Sequence, residues 1–362
     1  MGARWPTRTA ALLCAVSLGF GIGFGPVGGA PSARGRTAQA ATFARVFAGA
    51  TRWRQLRSST LARCEVASAR IGRFIYVVGG FTRPEASGLL PTTRVLERYD
   101  VRRDRWQRLA PLPVPVNHAV AVAYKGSLYV HGGWPGFVEY NATANFWRFD
   151  PRRNRWNRMP SSPTPRAAEA AAVIGDKLYV AGGANNSGSL RSLEIYDFKR
   201  RRWSEGTSFS GPARNHTRGV ASGGYFYVLG GRKGGQVVAD PSTPVGYADV
   251  DRYDPRHHRW RRMQPMPQAR SGFGAVVLAD GRIAVFGGEP WPNDLPGAHL
   301  IGTAYLFNPR TGRWLRLPNM RTPRHAPGGA ALGDRIYAIE GSSQPRAQTP
   351  TRMVEALTIN PT

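Results

Sequence analysis

The sequence predicts an all-β protein, a six-bladed β-propeller, and three recurring signals predict it. Tryptophans fall at Trp53, Trp106, Trp156, Trp203, Trp260 and Trp314, at intervals of 53, 50, 47, 57 and 54 residues. Glycine pairs recur between them at Gly79-Gly80, Gly132-Gly133, Gly182-Gly183, Gly230-Gly231 and Gly287-Gly288, with Glu340-Gly341 as a degraded sixth. An aromatic residue followed by Asp or Asn recurs as Tyr99-Asp100, Phe149-Asp150, Tyr196-Asp197, Tyr253-Asp254 and Phe307-Asn308, and the tryptophan stands six residues after each Asp or Asn. A repeat of about fifty residues with this punctuation marks units that stack on one another in a ring.

Residues 1–40 stand apart from the repeats. Arg4 and Arg8 precede an apolar stretch, Ala10 to Phe24, and small residues end at Ala38-Gln39-Ala40. That order is expected of a cleaved signal peptide, and the apolar run is short and glycine-rich for a membrane span. Cys14 lies inside the run behind Leu13, where a lipoprotein signal wants a small residue. The expected product is exported, periplasmic or extracellular, with a short linker at 41–50 and the propeller at 51–362. Cys64 is then its one cysteine, so no intramolecular disulfide is available to it.

Within each unit an apolar run closes on the glycine pair: Phe74 to Val78, Leu128 to His131, Leu178 to Ala181, Phe226 to Leu229, Ile283 to Phe286 and Ile336 to Ile339. A small-residue strand such as Ala119 to Tyr124 precedes it, and strands ending in aromatic-Asp and carrying Trp follow, giving four short strands per unit. Gly admits positive φ and close backbone approach, aromatic side chains supply apolar area between blades, and Asp starts the turn. The last unit ends at Thr362 without a Trp strand, while Thr51 to Leu56 is a Trp strand without a unit. Joining them closes a sixth blade and removes the exposed edges.

This pattern resembles the Kelch-repeat family over about residues 51 to 362. The resemblance implies the propeller fold and leaves function open, because the fold hosts enzymes, scaffolds and sugar binders. It also implies that a Pro-Arg-like marker, sixteen residues before the glycine pair, and its next two residues help line the funnel. The markers are Arg63, Arg166, Arg214 and Arg324, with Arg270 one further away and Val116 in the odd unit, which implicates Glu65, His118, His216 and Ser271. His325 stands one residue after its marker and His118 and His216 two after theirs, so strand alternation is expected to turn His325 away. No metal and no cofactor is expected on this reading. No nucleophile elbow, phosphate loop or zinc motif is present, and Cys64 has no identifiable tyrosine partner for a copper-radical centre.

The formal net charge is +28, carried by 46 arginines against 4 lysines. In the turns 101–105, 151–155, 198–202, 255–259 and 309–313, fourteen of twenty-five residues are Lys or Arg and only Asp104 is acidic. These are third connections of their blades, on the face opposite the mouth formed by the second connections. They form either a solvated set of turns or a surface for an anionic polymer or anionic membrane. Nucleic acid fits less well, since the chain reads as exported and shows no zinc-finger or RNA-recognition signature.

The mouth loops carry Arg83, Trp134, Glu139, Asn185, Arg232, Glu289, Trp291 and Asp294, and His118 and His216 lie on the strands beneath. Trp134 and Trp291 are outside the structural tryptophan register, and aromatic faces among carboxylates, amides and arginines suit a saccharide. The expected function is binding of a carbohydrate or protein ligand at the mouth rather than catalysis. The alternative is a carbohydrate isomerase similar to the exported Kelch propellers that interconvert sialic acid anomers, with Glu139, Glu289 and His118 as its available acid and base groups.

Overall fold

Antiparallel pairing turns each unit into a four-stranded sheet, and six such sheets are present in this computed structural model, which describes residues 50–83, 91–136, 141–234, 246–290 and 299–360. The expected signal peptide at 1–40 and all but the last residue of the expected linker lie outside the described residues. Blade 1 is Ala67–Ile71, Phe74–Val78, Leu96–Asp100 and Arg105–Leu109; blade 2 is Val120–Tyr124, Ser127–His131, Phe146–Asp150 and Arg155–Met159. Blade 3 is Ala170–Ile174, Lys177–Ala181, Leu193–Asp197 and Arg202–Gly206; blade 4 is Arg218–Ser222, Tyr225–Leu229, Val250–Asp254 and Arg259–Arg262. Blade 5 is Gly274–Val277, Ile283–Phe286, Ala304–Asn308 and Arg313–Leu317. Blade 6 takes Gly328–Leu332, Arg335–Ile339 and Val354–Thr358 from the C-terminal end and Arg54–Gln55 from the N-terminal end. The inner strands touch in ring order, blade 6 returning to blade 1.

The tryptophan repeat has one physical job in all six blades. Each indole Nε1 donates to a backbone carbonyl of the preceding blade's outer edge: Trp106 to Arg57 (3.0 Å), Trp156 to Ala110 (2.8 Å), Trp203 to Pro160 (2.8 Å), Trp260 to Thr207 (2.5 Å), Trp314 to Gln264 (3.2 Å) and Trp53 to Pro318 (2.9 Å). One polar handle thus fixes a large apolar body between blades. The repeated Asp or Asn is an Asx turn, its Oδ1 accepting the N–H two residues on, at 2.9 Å in Asp150 to Arg152, Asp197 to Lys199, Asp254 to Arg256 and Asn308 to Arg310. In the second glycine of each pair a Cβ would meet a carbonyl oxygen; at Gly80 that contact would be 2.5 Å from Cys64 O, at φ +95°.

The marker arginines do not line the funnel, contrary to the family-based expectation; they are buried inside the blades. Arg63, Arg166, Arg214 and Arg324 reach an acid on a third strand, namely Glu97 (2.6 Å), Glu194 (3.0 Å), Asp251 (2.7 Å) and Glu355 (3.6 Å). The two blades without that acid solve the problem differently. Arg270 stacks near Tyr305, 5.4 Å from the ring centroid, and bonds to Thr303 Oγ1 at 2.9 Å. Blade 2 places Val116 and Trp147 at the two positions, both in one hydrophobic cluster.

Glu340 occupies the first-glycine position of blade 6 at φ +57°. Its carboxylate lies 2.9 Å from the Arg63 guanidinium, which also holds Glu97, so two buried carboxylates share one cation. Burial raises its carboxyl to about 7, against the opposing pull of Arg63. Between about pH 4.5 and 7 the folded chain therefore keeps a proton that the unfolded chain has released, and this group's contribution to stability falls as pH rises through that window. Glu340→Gln is expected to gain on the wild type across it, by up to about 3 kcal/mol above neutrality. Urea melts of both proteins at several pH values measure the difference, and a pH-independent difference would show that Glu340 does not titrate there.

Candidate functional site

Three rings of equivalent residues meet at the axis end of the mouth. The residue after each glycine pair bridges antiparallel to the residue after each marker: Phe81 with Cys64, Trp134 with Asn117, Ala184 with Ala167, Arg232 with Asn215, Glu289 with Ser271, and Ser342 with His325. One position further on, Glu65, His118, Ala168, His216, Gly272 and Ala326 all have positive φ, between 50 and 55°. Their backbones form a girdle: His118 N donates to Glu65 O (3.1 Å), Ala168 N to His118 O (2.8 Å), Gly272 N to His216 O (3.2 Å), Ala326 N to Gly272 O (2.6 Å) and Glu65 N to Ala326 O (3.3 Å). Left-handed backbone breaks the strand alternation and lets neighbouring residues both reach the axis. Below the girdle a channel of about 90 Å³ is lined by small residues with Glu169 and Arg218.

Ionisable side chains from five blades converge on that floor. Glu65, His118, His216, Arg232, Glu289 and His325 are each at most 9% exposed. His118 Nε2 lies 3.0 Å from His216 Nε2 and 3.1 Å from Glu65 Oε1, and His325 Nε2 is 2.6 Å from the same oxygen. Arg232 bridges His216 Nε2 (2.9 Å) and Glu289 Oε1 (2.9 Å), while His325 Nδ1 stands 3.4 Å from that Glu289 oxygen. Burial would raise the Glu65 carboxyl, but the imidazoles of His118 and His325 outweigh it and hold the group well below the usual carboxylate range. Burial, with Arg232 adjacent, holds His216 well below the ordinary imidazole range. For His325 the burial effect is outweighed by Glu289 and Glu65, which raise it.

The floor thus contains Glu65, His118, His216, Arg232 and Glu289, five of the residues named from sequence. It also contains His325, correcting the expectation that alternation turns it away. Trp134 is 1% exposed, edge-on to His118 at 4.9 Å and packed on Ala167, Ala168 and Ala184. It is therefore a wall behind the histidine and not a loop platform for a sugar face. Asn185 closes the Ala184–Asn185 and Gly188–Ser189 hairpin, its Oδ1 accepting from Ser187 N at 2.9 Å, and Arg83 is exposed at the start of the blade 1 loop. Glu139, Trp291 and Asp294 lie outside the described residues. Asn117 and Asn215 were missed: each Oδ1 bonds the next residue's Nδ1, at 2.7 Å for His118 and 2.5 Å for His216. The Asn-His dipeptide, repeated at one register, was the available signal.

On the opposite face the basic turns are exposed, with the Arg153 and Arg200 side chains 82% and 67% accessible. Between blades 2 and 3 a cleft of about 550 Å³ is lined by Arg148, Arg153, Arg155, Arg158 and Arg201, with Asp150 the one acid among the described residues that line it.

The comparisons agree with this architecture. The profile of the KLHDC2/KLHL20/DRC7 Kelch-repeats domain matches residues 65–288. Beta-scruin of Limulus polyphemus is 29% identical over 258 residues, 68% of this chain and 27% of that protein. Kelch-like protein 15 of Danio rerio is 25% identical over 267 residues, 72% of this chain and 35% of that protein, so the aligned part spans only about a third of these relatives' length. N-acetylneuraminate epimerase of Brucella suis is 37% identical over 87 residues, 24% of this chain and 22% of that protein. The structure of YjhT superposes with a TM-score of 0.66 at 16% identity, covering 83% of this chain and 96% of that one, a likeness of fold. With the profile spanning more than half of the residues and the six-bladed ring in place, the chain belongs to the Kelch-repeat family.

Proposed function

We propose that this Kelch propeller is an exported binding protein that recognises a polar ligand, a saccharide or a protein segment, at the loop-lined mouth. The observation that carries the reading is the floor itself. Buried acids, imidazoles and a guanidinium from five blades are brought to the mouth end of the axis, where they offer paired donors and acceptors. Ionisable groups are costly to bury, and a packed apolar plug would hold the ring together without that cost. The leader-like residues 1–40 support export.

A catalytic alternative is favoured by the N-acetylneuraminate epimerase match. On that reading Glu65, Glu289 and His118 are the available proton-transferring groups for an anomer exchange. The arginine cleft on the far face is a second proposed surface, for an anionic polymer.

Calorimetry and NMR anomer-exchange rates with N-acetylneuraminate and neutral monosaccharides test the reading. For a binder, Glu289→Gln is expected to weaken affinity about 10- to 100-fold, the loss of a charge-assisted hydrogen bond, and to leave exchange at the uncatalysed rate. For a mutarotase the same change slows exchange well beyond its effect on affinity. Absence of both saturable binding and exchange by the folded wild type would remove the saccharide readings and leave a protein ligand. Heparin binding that survives Arg153→Ser with Arg155→Ser would remove the basic cleft.

A further inference from the structure

We infer that Glu65, His118 and His216 form a binding site for a divalent transition-metal ion of zinc type, set in the floor of the mouth. The three residues come from blades 1, 2 and 4 at equivalent positions of the repeat, so no local motif announces them. One donor atom from each lies within 4.8 Å of the others. The separations of 3.0 Å between the two Nε2 atoms and 3.1 Å from His118 Nε2 to Glu65 Oε1 are close to the edge of a zinc tetrahedron, about 3.3 Å for bonds of about 2.0–2.1 Å.

The surrounding hydrogen bonds fix the tautomer that a metal requires. Asn117 Nδ2 donates to Thr92 Oγ1 (2.9 Å), Trp134 O (3.0 Å) and Gly136 O (2.9 Å), which leaves its Oδ1 to accept from His118 Nδ1. Asn215 Nδ2 donates to Ser189 Oγ (2.8 Å) and to Gly234 O, and its Oδ1 accepts from His216 Nδ1. Each Nδ1 therefore carries a hydrogen, and the two Nε2 atoms face each other at 3.0 Å, His216 Nε2 also accepting from Arg232 Nη2 at 2.9 Å. Two imidazole nitrogens and a carboxylate oxygen gathered this closely are a donor set that a single cation can bridge. A carbonyl oxygen holding the far nitrogen of a ligating histidine is also the usual support of a metal-bound imidazole.

Two neighbours complete the arrangement. His325 Nε2, 2.6 Å from Glu65 Oε1, is a positioning residue for the carboxylate. Arg232 Nη2 lies 2.9 Å from His216 Nε2, a contact that an entering ion must displace, and its Nη1 has a second partner in Glu289 Oε1 at 2.9 Å. The backbone girdle holds the three donor residues at fixed spacing, so loading needs side-chain adjustment and no refolding. Imidazole with carboxylate is a donor set suited to zinc and neighbouring ions rather than to calcium or magnesium. The site does not depend on the saccharide reading.

The test uses the full chain after chelator treatment and dialysis. Zinc titration by calorimetry is expected to give one ion per chain, and cobalt is expected to give the intense visible bands of a tetrahedral site. His118→Ala and His216→Ala should each lower zinc affinity by about 100-fold or more, and Asn117→Ala and Asn215→Ala, which touch only the supporting shell, by about 10- to 100-fold. His257→Ala with His258→Ala, on an exposed turn of the other face, should change nothing. If the axial variants do not fold, X-ray absorption of zinc-loaded wild type must show imidazole and carboxylate ligation. Failure of the folded wild type to bind zinc, binding that persists in folded His118→Ala and His216→Ala, or binding abolished by the exposed pair overturns the site.

Discussion

Trp53→Ala is expected to destabilise the propeller by about 3–5 kcal/mol, as much as truncating a central core aromatic, although the residue lies at the N-terminal edge of the fold. Trp53 is 3% exposed, donates to Pro318 O at 2.9 Å and meets the Phe286 ring edge-on at 5.6 Å. Its strand pairs with Val354–Thr358 through Arg54 opposite Ala356 and Gln55 opposite Glu355, extended by an Ala50–Ile359 bridge and by Thr51 N to Thr358 O (2.9 Å) and Leu56 N to Val354 O (2.8 Å). Backbone pairing this short leaves the indole as the main apolar attachment of the closing strand. Trp53→Phe keeps most of the area and loses the donor, so an intermediate loss of about 1–2 kcal/mol is expected. Removal of residues 51–57 uncovers the edge of blade 6 as well, and self-association should appear by size-exclusion chromatography. Trp314→Ala, the same substitution in blade 5, supplies the internal standard. A Trp53→Ala melt superimposable on the wild type would mean that the ring does not depend on this strand for closure.

The ring was legible because every blade meets the same demands and answers them with the same residues. Six indoles reach six carbonyls, and Asx turns follow the third strands of blades 1 to 5. Even the odd Val116 and Glu340 mark real departures, an apolar substitute for a buried ion pair and a carboxylate in a glycine position. The site was legible only in part, because residues as distant as Glu65 and His325 meet only once the ring has closed. Alternation failed for His325 because the next residue, Ala326, is left-handed at φ +51°, and the same backbone turn in the other blades carries Glu65, His118 and His216 to the axis. Trp134 departs from the loop expectation for a related reason. The position after the glycine pair looks like loop in the sequence, yet it bridges back to the strand before it and becomes inner wall.

The buried arginines offer the second large effect. Arg166 is fully buried, with Nη2 at 3.0 Å from Glu194 Oε1 and Nη1 at 3.0 Å from Gly182 O; Glu194 is 2% exposed and also accepts from Thr164 N at 3.1 Å. Arg166→Met leaves a carboxylate in the blade without its cation, and Glu194→Leu leaves a guanidinium without its anion. Each single change is expected to cost about 3–5 kcal/mol. The double variant should cost much less than the sum, because the desolvation of two charges disappears together with their attraction. Blade 2 already runs on this solution, with Val116 and Trp147 where its neighbours place arginine and acid. A favourable coupling of at least about 2 kcal/mol in the double-mutant cycle is the expected result. Urea melts with unchanged m-values make the free energies comparable. Additive losses would show that Arg166 is held by the carbonyls of Gly182 and Ser192 alone, and that the acid on the third strand is not what the marker arginine requires.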